Sequence, residues 1–162
     1  MSDFPIAGYQ LRPGSPLDRA TLVKFMERNY AELNPGQPLA HIATTVERYL
    51  GRETPLWWVE RSTPTTISPS APVGCIWLGQ ATDQRTGRLH PYVLLLYVDV
   101  AHRRRGMATA LLNLAHQWAK DQGYRQISLQ VFSSNGAAQA LYKKLGYTPE
   151  AILLKKSWDD SA

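Results

Sequence analysis

The chain has 162 residues, which fits a single domain, residues 1–162, with a core of useful size. Its 44% hydrophobic and 19% charged composition excludes wholesale disorder, and no apolar run approaches the roughly 20 residues a membrane span needs. A net charge of +5 suits a polyanionic partner, and without a basic tail or an aromatic–basic repeat a phosphorylated cofactor fits better than a nucleic acid.

The opening Met-Ser-Asp-Phe-Pro lacks the basic start and apolar stretch of a secretory signal, so a cytoplasmic location is expected. Tyr9 to Arg12 reads as a first strand closed by Pro13-Gly14. Ser15 or Asp18 then caps a helix to about Glu32, with Leu17, Leu22, Phe25, Met26, Asn29 and Leu33 near one face. Pro35-Gly36 stops it, and a second helix spans about Leu39 to Gly51. Leu56 to Glu60 and Val73 to Leu78 are strand-length apolar runs. The Ser-, Thr- and Pro-rich stretch 61–72 between them reads as an exposed hairpin loop. Cys75, the one cysteine, reads as a core residue and excludes an internal disulfide or a multi-cysteine metal site.

After a turn over Asp83 to His90, Tyr92 to Val100 is almost continuously apolar, as expected of a strand buried on both faces. A long helix from about Arg105 to Asp121 follows, with a core stripe of Ala108, Leu111, Leu112, Ala115, Trp118 and Ala119. Gln126 to Phe132 alternates as a strand, Asn135 to Leu145 is a helix closed by Gly146, and Tyr147 to Lys155 is the last strand. Strands and helices therefore mix in one α/β or α+β fold.

The chemistry concentrates between the buried strand and the long helix. The first turn of a helix has four amides without internal partners, and its dipole adds positive charge there. Small residues at Gly106 and Ala108 let an anion approach while Met107 points away, and Arg103, Arg104 and Arg105 add a favourable field. A pyrophosphate site is expected; a solvated basic helix start is the competing reading. No P-loop pattern and no Gly-x-Gly-x-x-Gly after a strand is present.

Here the sequence resembles the GNAT superfamily of N-acetyltransferases. Arg103-x-x-Gly106-x-Ala108 matches the signature Gln/Arg-x-x-Gly-x-Gly/Ala, and Asn135 to Tyr147 resembles the second hallmark, Asn-x-x-(A)-x-x-Leu-Tyr-x-x-x-Gly-Phe/Tyr. The strong resemblance covers about residues 92–150. It implies a mixed, mostly antiparallel sheet flanked by helices, with a splayed pair of parallel strands at the cofactor site.

It also implies roles. The amides of Arg103, Arg104, Arg105, Gly106, Met107, Ala108 and Thr109 would hold the pyrophosphate of acetyl-coenzyme A. The backbone of Val98, Asp99 and Val100 would pair with its pantetheine arm, and the Val98 amide would polarise the thioester carbonyl. Asn135 would contact that arm or organise the last helix, and Tyr142 would protonate the departing thiolate. A neutral primary amine, on a small molecule or a protein, would attack directly, with no metal. The usual glutamate base is missing from this strand. Glu60, His90, Tyr97, Asp99 or a water molecule are the candidates. A non-catalytic sensor of coenzyme A is the alternative, and a homodimer is compatible with either. His102 and His116 read as surface residues.

Overall fold

A computed structural model, described over residues 4–51, 53–62 and 71–158, resolves the chain into two compact units, Met1–Gln130 and Val131–Ala162. In the first unit, β1 (Tyr9–Pro13), β2 (Leu56–Arg61), β3 (Gly74–Thr82) and β4 (Leu89–Val98) form a four-stranded sheet in chain order, every neighbouring pair antiparallel. Helices α1 (Arg19–Leu33) and α2 (His41–Tyr49) lie between β1 and β2 in sequence, and α3 (Met107–Asp121) follows β4. The second unit contains α4 (Gly136–Lys144).

Local chemistry explains the starts of these elements. The Ser15 hydroxyl accepts from the Leu17 amide and the Asp18 carboxylate accepts from the Ser15 amide, a reciprocal cap for a short 3-10 turn over Pro16–Asp18. Leu17, expected on the inner face, sits in that turn and is 95% exposed, because the tighter 3-10 winding breaks the α-helical stripe there. Within α1, Leu22, Phe25 and Met26 recur at helical spacing, as do Ile42 and Val46 in α2. Together they pack against Leu56, Trp58, Cys75, Trp77, Leu95 and Tyr97 of the sheet. Ile76 and Leu78 alternate with these and point to the opposite face, where α3 packs on β3 and β4 with Met107, Leu111, Leu112 and Ala115 buried. Ala108 and Trp118, expected in that stripe, are half-buried at its border, and Ala110 is buried instead.

Two expected strands do not form. Over Gln126 to Phe132 the sheet contact is one parallel bridge, Tyr92 with Ser128, in which the Val93 amide donates to the Ser128 carbonyl at 2.9 Å. Tyr147 to Lys155 is irregular, with Ile152, Leu153 and Leu154 exposed. Alternation sets the faces a strand would present, but a strand exists only through a hydrogen-bonded neighbour. Beyond that bridge neither segment has one among the described residues. Most of the expected 61–72 hairpin loop, residues 63–70, lies outside the described residues.

The register of β4 decides what its end offers. Trp77 pairs with Leu95 and Leu78 with Val93, so Leu94 is an extra residue on β4. The Val93 amide bonds away from β3, to Ser128, whereas the Asp99 amide bonds the Val73 carbonyl on the β3 side at 2.7 Å. Six residues apart, the two would share an edge of a regular strand; the bulge puts them on opposite edges. Val98, next to Asp99, therefore turns its backbone groups to the edge that β3 does not occupy. Gly74 lies opposite Val98, and a Cβ there would stand 2.9 Å from the Tyr97 carbonyl oxygen. Gly74→Ala is expected to destabilise the fold by roughly 1–3 kcal/mol through this backbone clash. An unchanged urea midpoint would contradict the tight β3–β4 approach.

Candidate functional site

The chain leaves β4 at Val98, makes a 3-10 turn over Val100–His102 and enters α3 at Met107. Two residues in the connection are left-handed, Arg104 with φ 62° and Gly106 with φ 81°. Turns of this kind form backbone N–H concavities suited to anions. Gly106 is the N-cap of α3 and supplies no side-chain bond, and no acidic residue occupies the first turn. The Met107, Ala108 and Thr109 amides thus keep their capacity for an external acceptor. Met107 is 2% exposed and points into the core, while among the described residues the space beside Gly106 holds only Ile6 Cδ1, 3.7 Å from where a Cβ would be. Uncapped amides, open space and positive charge together fit a pyrophosphate.

The three arginines do different things. Arg104 and Arg105 are exposed, with the Arg105 guanidinium 6.0 Å from the centre of the Tyr9 ring. Arg103 turns back. Its Nε donates to the Val98 carbonyl at 2.7 Å, and its Nη2 donates to Glu32 Oε2 at 2.6 Å. The Tyr97 hydroxyl donates to Glu32 Oε1 at 2.9 Å. Glu32, at the end of α1, has no local motif that would connect it in sequence to residues 65 and 71 positions away.

The candidate bases separate clearly. Glu60 accepts from Arg12 Nε at 2.6 Å and is engaged on β2. Gln126 Nε2 donates both to Asp83 and to His90 Nδ1, so the His90 proton sits on Nε2 and faces Ser128 Oγ at 2.7 Å. His90 therefore has its one lone pair occupied, and it lies eight residues before Val98, about 26 Å along the strand. Burial, then the bond to Glu32, pushes the Tyr97 hydroxyl up to about 12, so at neutral pH it is a donor. Asp99 is half-exposed and lies 3.7 Å from Arg28.

His102, read from sequence as a surface residue, is buried at 6% exposure. Arg61 Nη2 faces its Nε2 at 3.1 Å, and a guanidinium only donates, so Nδ1 carries the proton toward the Tyr9 hydroxyl at 2.7 Å. Sequence offers no sign of this, because Tyr9 and Arg61 arrive from β1 and β2.

In the second unit, Asn135 Oδ1 accepts from the Ala138 amide at 3.2 Å and caps α4. Tyr142 is half-buried with its ring 5.6 Å from that of Tyr147, and burial raises its pKa above the usual tyrosine value. Among the described residues no cluster of His, Cys, Asp and Glu has the makings of a metal site, and no helix is long and apolar enough to cross a membrane.

Among the described residues of the first unit, β4 ends with Val98 turned to an edge that β3 does not occupy and leads into an uncapped basic helix start, on a mixed α/β fold. The profile of the acetyltransferase (GNAT) family matches residues 23–147, and the chain belongs to that family. It is 32% identical to N-acetyltransferase 8 of Homo sapiens over 101 residues, 61% of this chain and 41% of that protein. It is 33% identical to an uncharacterized N-acetyltransferase of Methanocaldococcus jannaschii over 84 residues, 52% of this chain and 34% of that protein. The chain thus spans less than half the length of these relatives. Its fold matches a GCN5-related N-acetyltransferase from Ralstonia eutropha JMP134 with a TM-score of 0.70 at 22% identity, over 93% of this chain and 99% of the other. It also matches an aminoglycoside N-acetyltransferase in complex with CoA, with a TM-score of 0.68 at 16% identity, over 92% of this chain and 94% of the other.

Burial first, then the nearby Arg61 and Arg105, holds the His102 pKa below the ordinary histidine value. The folded chain thus takes a proton there less readily than the unfolded one, and the contribution present above the unfolded pKa is lost as pH falls. The melting temperature is expected to drop more for the native chain than for His102→Asn when pH goes from about 7.5 to about 5.5, the range around an ordinary histidine pKa. Parallel curves would show that His102 is not buried neutral.

Proposed function

We propose that the chain transfers the acetyl group of acetyl-coenzyme A to a primary amine by direct attack. The observation that carries this reading is the uncapped start of α3, with left-handed Arg104 and Gly106, directly after the open edge of β4. In this reading the amides from Arg103 to Thr109 hold the pyrophosphate, with Arg104 and Arg105 adding charge. Val98, Asp99 and Val100 line the pantetheine arm, and the Val98 amide donates to the thioester oxygen as negative charge develops there. Glu60 and His90 are committed to other partners, which leaves Asp99, directly after Val98, or a water molecule to take the amine proton.

Tyr142 is assigned, on its match to the second family hallmark, as the acid that protonates the departing thiolate. A tyrosine is protonated at neutral pH, as that role needs, and burial raises the Tyr142 pKa further. Asn135 organises α4 through its cap. A cytoplasmic protein acting on a small-molecule or protein amine, built as one domain over 1–162, completes the proposal. The engagement of two candidate bases elsewhere favours one other reading, a non-catalytic sensor of coenzyme A.

Thiol release from acetyl-coenzyme A across a panel of amines separates the two. Turnover on at least one amine is expected, and tight cofactor binding without turnover on any would favour the sensor. Gly106→Glu is expected to abolish acetyl-coenzyme A binding in a calorimetric titration. It places a bulky anion at a residue with φ 81° and beside the pyrophosphate. Unchanged affinity would overturn the site. Tyr142→Phe is expected to lower kcat by roughly 10²-fold or more with little change in cofactor affinity, the usual scale for losing a general acid. An unaltered rate would make Tyr142 structural.

A further inference from the structure

Glu32, at the end of α1, uses both carboxylate oxygens on β4 and the turn that follows it. Oε1 accepts from the Tyr97 hydroxyl at 2.9 Å and Oε2 from Arg103 Nη2 at 2.6 Å. These partners bracket Val98. Tyr97 precedes it, and Arg103 reaches back to place Nε 2.7 Å from the Val98 carbonyl. The peptide joining Val98 to Asp99 is consequently held at both ends, its carbonyl by Arg103 and its amide by the Val73 carbonyl at 2.7 Å. One turn earlier on α1, Arg28 lies 3.7 Å from Asp99, so the same helix meets the strand end twice.

We propose that Glu32 is a positioning residue of the donor site, which through Arg103 and Tyr97 orients the open edge of β4 at Val98. This rests on the acetyl-coenzyme A reading above. Of the signature's three arginines, Arg103 is spent on the strand backbone, and its charge is matched by Glu32 before any phosphate arrives. The Glu32 and Arg103 side chains are 36% and 41% exposed. A pair so open to water adds little to stability. What it adds is direction. A carboxylate with two fixed donors holds the guanidinium in one rotamer, and that rotamer holds the peptide plane next to the amide assigned to the thioester.

The experiment compares the native chain, Glu32→Gln, Arg103→Gln and the double variant by calorimetric titration. Each is titrated with acetyl-coenzyme A and with adenosine 3′,5′-bisphosphate, which lacks the pantetheine arm and cannot sense the strand edge. Each single variant is expected to weaken acetyl-coenzyme A by about tenfold, the scale of one charge-assisted hydrogen bond, and to leave the bisphosphate within about twofold. The double variant is expected to bind no more weakly than Arg103→Gln, because the two residues act as one unit. Tyr97→Phe, which keeps the ring and removes only the hydroxyl, shifts acetyl-coenzyme A affinity in the same direction by a smaller factor. Native affinity in Glu32→Gln, additive losses in the double variant, or equal losses for both ligands would each overturn the assignment. So would a Glu32→Gln chain that fails to fold. A native chain that binds no acetyl-coenzyme A overturns the parent reading instead.

Discussion

The structure depends on β4 being bonded to β3 along one edge while, among the described residues of the first unit, its other edge has no strand partner at Val98. Antiparallel pairing with β3 runs from Leu89 to Val98, and Asp99 extends it by one bond to Val73. On the far edge, the parallel contact is a bridge at Tyr92 and Ser128, supported by the His90–Ser128 hydrogen bond. A strand in the middle of a complete sheet has every backbone group occupied and nothing to offer a ligand. The extra residue at Leu94 gives this release its phase, because it turns the backbone of Val98 toward the open edge.

The same segment gathers charge. A net charge of +5 over 162 residues is modest, but three arginines stand together where α3 begins with uncapped amides. The helix field and the arginines act in one direction. Arg103 is the exception, since its guanidinium is bonded to Glu32 and to the Val98 carbonyl. In the proposed site the electrostatic part rests on Arg104, Arg105 and the backbone, while Arg103 is tied to the strand end.

Much of this was legible in the sequence for physical reasons. The helices carry apolar residues at three- and four-residue spacing, the inner strands are continuous apolar runs, and Gly106, expected for its small size, stands at the left-handed start of α3. Cys75 is buried in the core, as its apolar strand implied. The two expected C-terminal strands do not form because a strand needs a bonded partner that local sequence does not specify: Gln126 to Phe132 obtains one bridge, and Tyr147 to Lys155 none among the described residues. The burial of His102 is not legible in sequence because its partners come from β1 and β2, nor are the ties of Glu32 to Tyr97 and Arg103, which exist only in three dimensions. Motifs carry backbone conformation well. They carry long-range side-chain partnerships poorly.

A crystal structure of the chain with coenzyme A tests the proposed donor site most directly. The pyrophosphate is expected within hydrogen-bond distance of amides between Arg103 and Thr109, and the pantetheine arm along the edge of β4 that Val98 turns away from β3. A coenzyme bound elsewhere, or a pyrophosphate held only by side chains with the α3 amides still facing solvent, would contradict it.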